Sequence, residues 1–297
     1  MATLTVFTPL YNRINTLKRT YESLKRQTSK DFVWLIIDDG SIDNPYEIIK
    51  EWIKINNGFE IKYVYKENGG MHTAHNTAYE NIDTELNVCV DSDDYMPDNA
   101  VQLIIDCWNK NKNKGYAGII ALDFADSTKK VIGKELPTDK ESTTLMGYYN
   151  NGGFGDKKLI YRTDIIKQTP PYPVFNNEKY VALAYKYHLI DEKYELKILN
   201  ECVCIVDYQM DGSSTNMYRQ YVRNPKGFAF WRKEQMKHSI NTKQKIKACI
   251  HYVSSSLIAK NKHFIKESPE KFLTVLSVPL GFLLKKSKSS YMKVEGI

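Results

Sequence analysis

Three carboxylates within four residues form the densest group of potentially reactive side chains in the sequence. Asp91, Asp93 and Asp94 directly follow residues 86–90, a short apolar run that is typical of a buried strand. Burying an unpaired carboxylate is costly, and crowding several together raises the pKa of at least one. A divalent cation would relieve this cost because hard cations take oxygen ligands. The alternative for such a cluster is a solvated acidic turn.

The elements around this cluster predict an α/β fold with a mostly parallel sheet. Strands predicted at residues 4–8, 32–37, 61–65 and 86–90 alternate with amphipathic helices over short connections, as in βαβ units. The predicted helices begin near Asn15, at Pro45, after Gly70 and at Asp98, and the inner face of the second is Ile48, Ile49, Trp52 and Ile53.

Polar turns follow the four predicted strands, at residues 8–13, 38–43, 68–76 and 91–94. Ligands of open parallel sheets bind beyond the carboxyl ends of the strands. We therefore expect these four turns to meet at one site. Their convergence favours a metal and nucleotide site over a solvated acidic turn.

The pattern changes after a further strand at residues 118–124. Residues 126–157 are polar and glycine-rich, which predicts a long loop, and residues 224–258 have the pattern of one or two basic amphipathic helices. Between them we expect a strand at 159–162, a helix at 179–189 and a strand at 196–206.

The composition is that of an ordinary soluble globular protein, with 42% hydrophobic and 26% charged residues among 297. The net charge is +7 and lysine is concentrated in the C-terminal third, which indicates an anionic partner such as a membrane surface or a phosphate-bearing substrate. The five cysteines lie mostly in apolar surroundings, and the sequence starts with a strand rather than a signal peptide. We therefore expect reduced cysteines in a cytoplasmic protein.

Four short motifs at the predicted strand ends resemble the family 2 glycosyltransferases in order and spacing. They are Thr8-Pro9-Leu10-Tyr11-Asn12-Arg13, Ile37-Asp38-Asp39-Gly40-Ser41, Asn68-Gly69-Gly70 with Ala74-His75-Asn76, and Asp91-Ser92-Asp93-Asp94. The resemblance is dense over residues 3–125 and looser to about residue 230. Residues 208–214 and 224–227 also resemble a branch of the family found in bacterial surface-polysaccharide loci. The resemblance implies the GT-A fold and an inverting, nucleotide-sugar-dependent transfer.

The same resemblance implies a nucleotide-sugar site on this chain. Thr8 and Tyr11 would hold the base, Asp39 would accept a hydrogen bond from a uracil imide, and Asp91 would lie near the ribose. The full set is Thr8, Pro9, Tyr11, Arg13, Asp39, Asn68, Gly70, Asn76, Asp91 and Ser92. The alternative for Asp39 is an Asx-turn that caps the loop before Asp43.

Asp93 is the residue that the resemblance assigns to a divalent cation, Mn²⁺ or Mg²⁺, bridging the diphosphate. We expect Asp94 to cap the following turn. His72 and His75 could contact phosphate, although a histidine on a surface helix is usually solvated. Related sequences often have a lysine where this chain has Met71, so Arg13 or His72 would have to replace it.

An inverting transfer needs one base to take the proton from the acceptor hydroxyl. The family often supplies it from a Glu-Asp pair, and the matching position here is Glu178, which is followed by Lys179 rather than by an aspartate. Glu178 is therefore the predicted base, with Asp156 and Asp211 as alternatives. The competing interpretation of Glu178 is a carboxylate at a helix N-terminus.

Residues 262–288 combine apolar side chains with lysines, which predicts an anchor on the anionic cytoplasmic face of a membrane. The alternative is a C-terminal helix that packs on the core. The apolar stretch 272–284 is too short and too interrupted to span a bilayer. A peripheral position on the inner face of the cell membrane would suit an acceptor sugar on a lipid carrier.

These observations predict a glycosyltransferase of cell-surface polysaccharide biosynthesis that uses a UDP-sugar and a glycan or lipid-linked acceptor, with no nucleic-acid partner. Residues 1–125 would bind the nucleotide-sugar, residues 126–223 the acceptor, and residues 224–297 would form a basic helical extension. One alternative is a sugar-nucleotide pyrophosphorylase, but the first strand is not followed by the glycine-rich phosphate loop of that class. The other is a non-catalytic nucleotide or glycan binder of the same fold.

Overall fold

A computed structural model describes residues 2–209, 217–239 and 241–294 of the chain. The chain divides into two compact units. The first contains Met1–Pro171 and Lys186–Gln209, and the second contains Tyr172–Tyr185 and Met210–Ile297. The predicted assignment of donor binding to residues 1–125, acceptor binding to 126–223 and a helical extension to 224–297 stays a prediction.

Within the described residues, the first unit contains one sheet of eight strands. They are β1 Leu4–Leu10, β2 Phe32–Asp38, β3 Glu60–Tyr65, β4 Leu86–Cys89, β5 Gly118–Ala125, β6 Ser142–Thr143, β7 Lys157–Arg162 and β8 Leu196–Val206. Their order is β3-β2-β1-β4-β7-β5-β8-β6. The first four neighbours are parallel, β7 is antiparallel to both β4 and β5, β8 is parallel to β5, and β6 is antiparallel to β8. The predicted mostly parallel sheet is present.

Seven helices accompany this sheet in the described part of the chain. They are α1 Ile14–Lys25, α2 Tyr46–Lys54, α3 Met71–Asn81, α4 Ala100–Asn111, α5 Leu145–Asn150, α6 Thr163–Gln168 and α7 Ala184–Asp191. Every residue of β1 and β2 is buried, as expected for strands covered on both faces. On one face Tyr21 and Trp52 stack with ring centroids 4.2 Å apart, and Trp34 extends the stack.

The predicted end of the first strand was wrong for a local reason. β1 continues through Pro9 to Leu10, because its pairing with β4 ends at Phe7 and the missing N–H of Pro9 interrupts no ladder there. Helix α1 begins at Ile14, as predicted near Asn15, and the Asp43 carboxylate accepts its first N–H at 3.1 Å.

Three further corrections concern helices. Ile53 is 44% exposed, so it is not part of the inner face of α2. The polar stretch 126–157 contains β6 and α5, and the helix expected at 179–189 begins at Ala184.

The second unit is helical. Its described helices are α8 Met217–Arg223, α9 Pro225–Lys237, α10 Thr242–Ile258, α11 Phe264–Glu267, α12 Lys271–Leu276 and α13 Val278–Val294. A small apolar core joins Met236 of α9 to Ala248, Cys249 and Tyr252 of α10. Among the described residues no helix is both long and apolar enough to cross a membrane. All five cysteines are unpaired, as expected.

Candidate active site

The carboxyl ends of β2, β1 and β4 lie side by side in the first unit. The parallel register pairs Leu10 with Asp38 and Phe7 with Cys89, so the turns after these strands emerge at one edge of the sheet. The predicted nucleotide-sugar residues all lie in the first unit, and at this edge Asp39 contacts Asn68 and Gly70. We call this edge the strand-end site.

The turn after β1 offers one exposed aromatic ring. Tyr11 is 49% exposed and can present its face to a planar base. Thr8 is fully buried and its hydroxyl accepts a hydrogen bond from Trp34 Nε1 at 3.0 Å. Pro9 is buried within β1 and Arg13 is half-buried just before α1. Tyr11 is therefore the side chain of this turn best placed for stacking. The Thr8 side chain instead connects β1 to β2 through its hydrogen bond with Trp34.

Asp39 organises the loop between β3 and α3. Its Oδ1 accepts from Lys66 Nζ at 2.5 Å and from Gly69 N at 2.9 Å, and its Oδ2 accepts from Gly70 N at 2.8 Å and from Asn68 Nδ2 at 3.0 Å. Asp39 is 3% exposed. Four donors thus fix this carboxylate against the 68–70 loop. Its predicted contact with a uracil imide stays a prediction.

Asp39 does not form the Asx-turn that was its alternative role, since its carboxylate accepts from residues 66–70. The side-chain bond within the turn after β2 is made by its neighbour Asp38, and it reaches three residues on rather than the two of an Asx-turn. Asp38 Oδ1 accepts from Ser41 N at 2.8 Å, and Asp38 Oδ2 accepts from the Tyr63 hydroxyl at 2.5 Å. Gly40 has a φ of +76°, and a Cβ there would lie 2.7 Å from Asn68 N. Gly70 has a φ of +93° at the start of α3. Both positions need glycine for backbone conformation, because L side chains rarely adopt such φ values.

His72 and His75 are buried, so the expectation of solvated surface histidines was wrong. Each is 1% exposed. Burial lowers the pKa of His72 to about 4 and that of His75 to about 3. Both rings are therefore neutral at neutral pH and cannot supply a cation to a phosphate. Neither ring nitrogen of His72 has a hydrogen-bond partner among the described residues. Of the two predicted replacements for the lysine that related sequences carry at Met71, Arg13 stays a prediction.

The three carboxylates after β4 differ in their surroundings. Asp91 and Asp93 are half-buried, Asp94 is 4% exposed, and Ser92 between them is buried. Burial and then Asp91 raise the pKa of Asp93, and nearby Arg13 opposes this rise. Asn76 of α3, another predicted nucleotide-sugar residue, is half-buried. Asp93 thus combines partial accessibility with an excess of negative charge.

Asp94 does not cap the turn that follows it, contrary to expectation. Its Oδ1 accepts from Asp207 N at 3.2 Å, just beyond β8, and its Oδ2 lies 3.9 Å from Cys204 Sγ. Burial raises its pKa to about 8, although Lys158 acts in the opposite direction. Asp94 therefore links the end of β4 to the end of β8.

The donor set around Asp93 fits a divalent cation that is shared with a substrate. The candidate ligands are carboxylate oxygens, which suit Mg²⁺ and Mn²⁺ rather than softer metals. In the described residues no group of three or more His, Cys, Asp or Glu side chains is arranged to hold a metal ion. Mg²⁺ is often bound by one or two carboxylates plus substrate phosphates and water. Asp93, with Asp91 beside it, suits that mode of binding.

Lys158 is a buried cation that the sequence did not reveal as part of this site. Its Nζ lies 3.6 Å from Asp123 Oδ1, and the side chains are 12% and 4% exposed. Burial lowers the pKa of Lys158, but Asp123 and then Cys204, Asp94 and Asp91 outweigh it and raise that pKa well above its usual value. Burial raises the pKa of Asp123 to about 6 despite this lysine. Lys158 thus balances negative charge beneath the strand-end site.

We expect Lys158→Met to destabilise the protein by about 3 kcal/mol, because it leaves Asp123 and Asp94 buried without their cation. Urea unfolding followed by circular dichroism measures this change. The control Lys114→Met removes a cation paired with Glu141, where the side chains are 49% and 69% exposed, and is expected to cost less than about 1 kcal/mol. Equal unfolding free energies for both variants would contradict the role of Lys158.

Arg19 is a second residue that the sequence did not single out. Its guanidinium donates to the backbone oxygen of Asp93 at 2.5 Å and to Asp207 Oδ2 at 2.8 Å. Its Cζ also lies 4.8 Å from the centre of the Tyr95 ring. It therefore ties the Asp91–Asp94 turn to the chain after β8. The available signal was its place in α1, six residues after Arg13, which periodicity alone does not distinguish from a solvated position.

Glu178, the predicted base, lies in the second unit and is 8% exposed. Its Oε1 accepts from Lys226 N at 2.9 Å and its Oε2 from Gly227 N at 2.8 Å, at the start of α9. The carboxylate thus binds the N-terminus of α9, whereas Glu178 itself lies outside any helix, six residues before α7. Of the alternatives, Asp156 is exposed and accepts from the Tyr208 hydroxyl at 2.6 Å. Asp211, with the rest of the 210–214 motif, lies outside the described residues.

The chain is similar in sequence and in fold to known glycosyltransferases. The family model of glycosyl transferase family 2 matches residues 5–169. A relative from Rickettsia conorii, the uncharacterized glycosyltransferase RC0461, is 30% identical over 148 residues, which is 48% of this chain and 24% of that protein. The chain thus spans about a quarter of the length of this relative.

Two solved structures have a similar fold. Residues 1–349 of S. aureus TarS, in complex with UDP-GlcNAc, align with a TM-score of 0.60 at 15% identity, covering 93% of this chain and 79% of that one. The mannosyltransferase PcManGT of Pyrobaculum calidifontis, with GDP-Man and Mn²⁺, aligns with a TM-score of 0.55 at 14% identity, covering 95% and 86%. The predicted GT-A fold is confirmed. Because the family model matches more than half of the chain and the strand-end turns carry the expected residues, the chain belongs to glycosyl transferase family 2.

Proposed function

We propose that this protein is an inverting glycosyltransferase that moves a sugar from a UDP-sugar to a glycan or lipid-linked acceptor in bacterial cell-surface polysaccharide biosynthesis. The observation that carries the proposal is the strand-end site, where the exposed Tyr11 ring and the half-buried Asp93 carboxylate follow neighbouring strands. This pairing offers a stacking face for a base and an oxygen ligand for a cation on a diphosphate.

A divalent cation, Mn²⁺ or Mg²⁺, held by Asp93 would neutralise charge on the departing nucleoside diphosphate. The protein's own residues position the donor around it. Asp91 would lie near the ribose, Arg13 would supply a cation, and Asn68, Gly70 and Asn76 would line the phosphate side. Two neighbours of similar fold are bound to nucleotide-sugars, which supports a donor of this class.

We propose Glu178 as the base. The acceptor hydroxyl attacks the anomeric carbon as the bond to the diphosphate breaks, and its proton passes to the Glu178 carboxylate. Its two backbone N–H partners leave further lone pairs on both oxygens and hold the carboxylate in one orientation. Such fixed orientation is what a base for in-line attack requires.

A panel of nucleotide-sugars tests the donor class. We expect UDP-sugars with Mn²⁺ to be hydrolysed slowly and to raise the melting temperature, whereas the same sugars with EDTA should do neither. GDP- and CDP-sugars serve as controls that test whether the donor site selects the uracil nucleobase. If UDP-sugars bind without turnover under any condition, the protein is a non-catalytic binder. If pyrophosphate and UTP form from a UDP-sugar, it is a pyrophosphorylase, and the proposal is wrong.

A further inference from the structure

One face of the C-terminal helices exposes an unusual amount of apolar surface. Phe272, Val275 and Leu276 of α12 and Leu280 and Leu283 of α13 are between 49% and 74% exposed. Phe272 is spaced three and four residues from Val275 and Leu276 in α12, and Leu280 lies three residues before Leu283 in α13, so each helix presents its members on one side. We call these five side chains the apolar face. Contiguous exposed apolar patches generally mark interaction sites.

A groove of about 550 Å³ between α10 and α13 borders this face. Its apolar lining comes from Ile246, Ile250 and Leu284, together with Leu280 and Leu283 of the apolar face. The helices approach closely because Gly281 has no side chain; a Cβ there would lie 2.5 Å from Val253. Lys243, Lys247 and His251 of α10 and Ser287 of α13 complete the lining. The groove thus has an apolar interior with two lysines along one wall.

The positive charge of the chain is concentrated around these helices. Residues 241–297 contain eleven lysines, no arginine and three acidic residues, and so carry +8, whereas residues 1–240 contain 31 basic and 32 acidic residues and carry −1. Seven lysines between residues 241 and 288 are exposed: Lys243, Lys247, Lys260, Lys262, Lys266, Lys271 and Lys286. The apolar face therefore lies among lysines with few acidic residues to offset them.

We propose that the apolar face and its lysines form a docking surface for an anionic lipid bilayer. Membrane-surface helices combine Phe and Leu with lysine in this way, since the apolar side chains enter the acyl boundary while the ammonium groups meet anionic headgroups. Protein interfaces are instead depleted in lysine, and a second copy of the chain would bring like charges together. The apolar groove with its cationic wall suits a lipid with an anionic headgroup.

This inference rests on the proposed function for its biological meaning, since a docked enzyme would meet a lipid-linked acceptor at the bilayer. Its physical basis is separate, because all of the residues involved lie in the second unit. An experiment can therefore reject lipid binding without rejecting donor turnover, and the reverse.

Flotation with vesicles tests the proposal on the full chain. We expect the protein to float with phosphatidylcholine vesicles that contain about one third phosphatidylglycerol, and to stay in solution with phosphatidylcholine alone. Raising NaCl to about 0.5 M should weaken the binding, because salt screens the lysines. Equal binding to neutral and anionic vesicles, or binding to neither, overturns the proposal.

Two double variants separate the charged and apolar contributions. Lys243→Gln with Lys247→Gln should lower the vesicle partition coefficient about 25-fold, at about fivefold for each lysine. Phe272→Ser with Leu276→Ser should lower it about tenfold or more, because both side chains would otherwise insert into the acyl boundary. The matched controls are Lys50→Gln with Lys54→Gln, which changes net charge equally, and Ile53→Ser with Ile55→Ser, whose side chains are 44% and 55% exposed.

The controls should bind vesicles like the unmodified protein, and every variant should hydrolyse a UDP-sugar at the unmodified rate. Vesicle binding that survives both double variants contradicts the docking surface. If light scattering shows a dimer that Phe272→Ser with Leu276→Ser dissolves, the occupant of the face is a second copy and the lipid proposal is wrong. Loss of donor hydrolysis in all proteins, with lipid binding intact, would reject the enzyme function alone.

Discussion

Asp93→Asn is expected to lower UDP-sugar turnover about 10³-fold, because the amide is a far weaker ligand for a divalent cation and leaves diphosphate charge uncompensated. The initial rate of UDP release at saturating Mn²⁺ measures the loss. Titrating UDP in the presence and absence of Mn²⁺ then separates a binding defect from a chemical one. The metal-dependent part of UDP binding should disappear.

The same substitution should leave the fold intact or slightly more stable. Burial and Asp91 raise the pKa of Asp93 in the folded protein. A carboxyl with a raised folded pKa contributes stability at low pH and loses it as the pH rises through that pKa. At neutral pH the ionised Asp93 is therefore unfavourable for folding in the absence of metal, and the neutral amide removes that cost. A higher melting temperature together with lost turnover is the expected signature.

Asp98→Asn is the matched control for this experiment. Asp98 follows the same turn, is exposed, and pairs with Arg26 at 3.0 Å with side chains 57% and 52% exposed. Its loss should change turnover less than about twofold and stability by less than about 1 kcal/mol. Metal-dependent UDP binding by Asp93→Asn at the unmodified affinity would rule out Asp93 as the ligand.

The sequence predicted those parts of the fold that depend on local periodicity. The four β–α alternations in residues 4–111 and the polar turns after their strands follow from apolar spacing, and the structure contains them. Element ends were less predictable because they depend on partners elsewhere. Pro9 lies inside β1 only because the neighbouring strand β4 stops pairing at Phe7.

Burial of polar residues was the main feature that the sequence could not predict. Helix α3 has no clear apolar stripe, yet His75 packs on Phe7 with ring centroids 5.0 Å apart. Lys158 is the second residue of β7, where the sequence gives no sign of burial, and its partner Asp123 lies 35 positions earlier in another strand. Such pairs are set by the order of strands in the sheet. The burial of Asp39 was unpredictable for the same reason, since its four donors come from a segment that begins 27 residues later.

In our proposal Glu178 both stabilises the N-terminus of α9 and acts as the catalytic base, and the two roles can be measured separately. Glu178→Gln keeps an oxygen that can accept from one of the backbone donors Lys226 N and Gly227 N. We therefore expect a stability loss of about 1 kcal/mol, as for a weakened helix N-terminal contact. A base cannot be replaced by an amide, so kcat should fall about 10³-fold while the Kd for UDP stays the same. Chemical denaturation, steady-state kinetics and UDP titration give the three values.

Asn224→Ala provides the structural control for Glu178→Gln. Asn224 Oδ1 accepts from Lys179 N at 2.7 Å, so this substitution loosens the same junction without touching a carboxylate. It should cost about as much stability and leave kcat within a few-fold. If Asp156→Asn instead carries the 10³-fold loss and Glu178→Gln behaves like Asn224→Ala, the base is Asp156 and Glu178 serves only to hold α9.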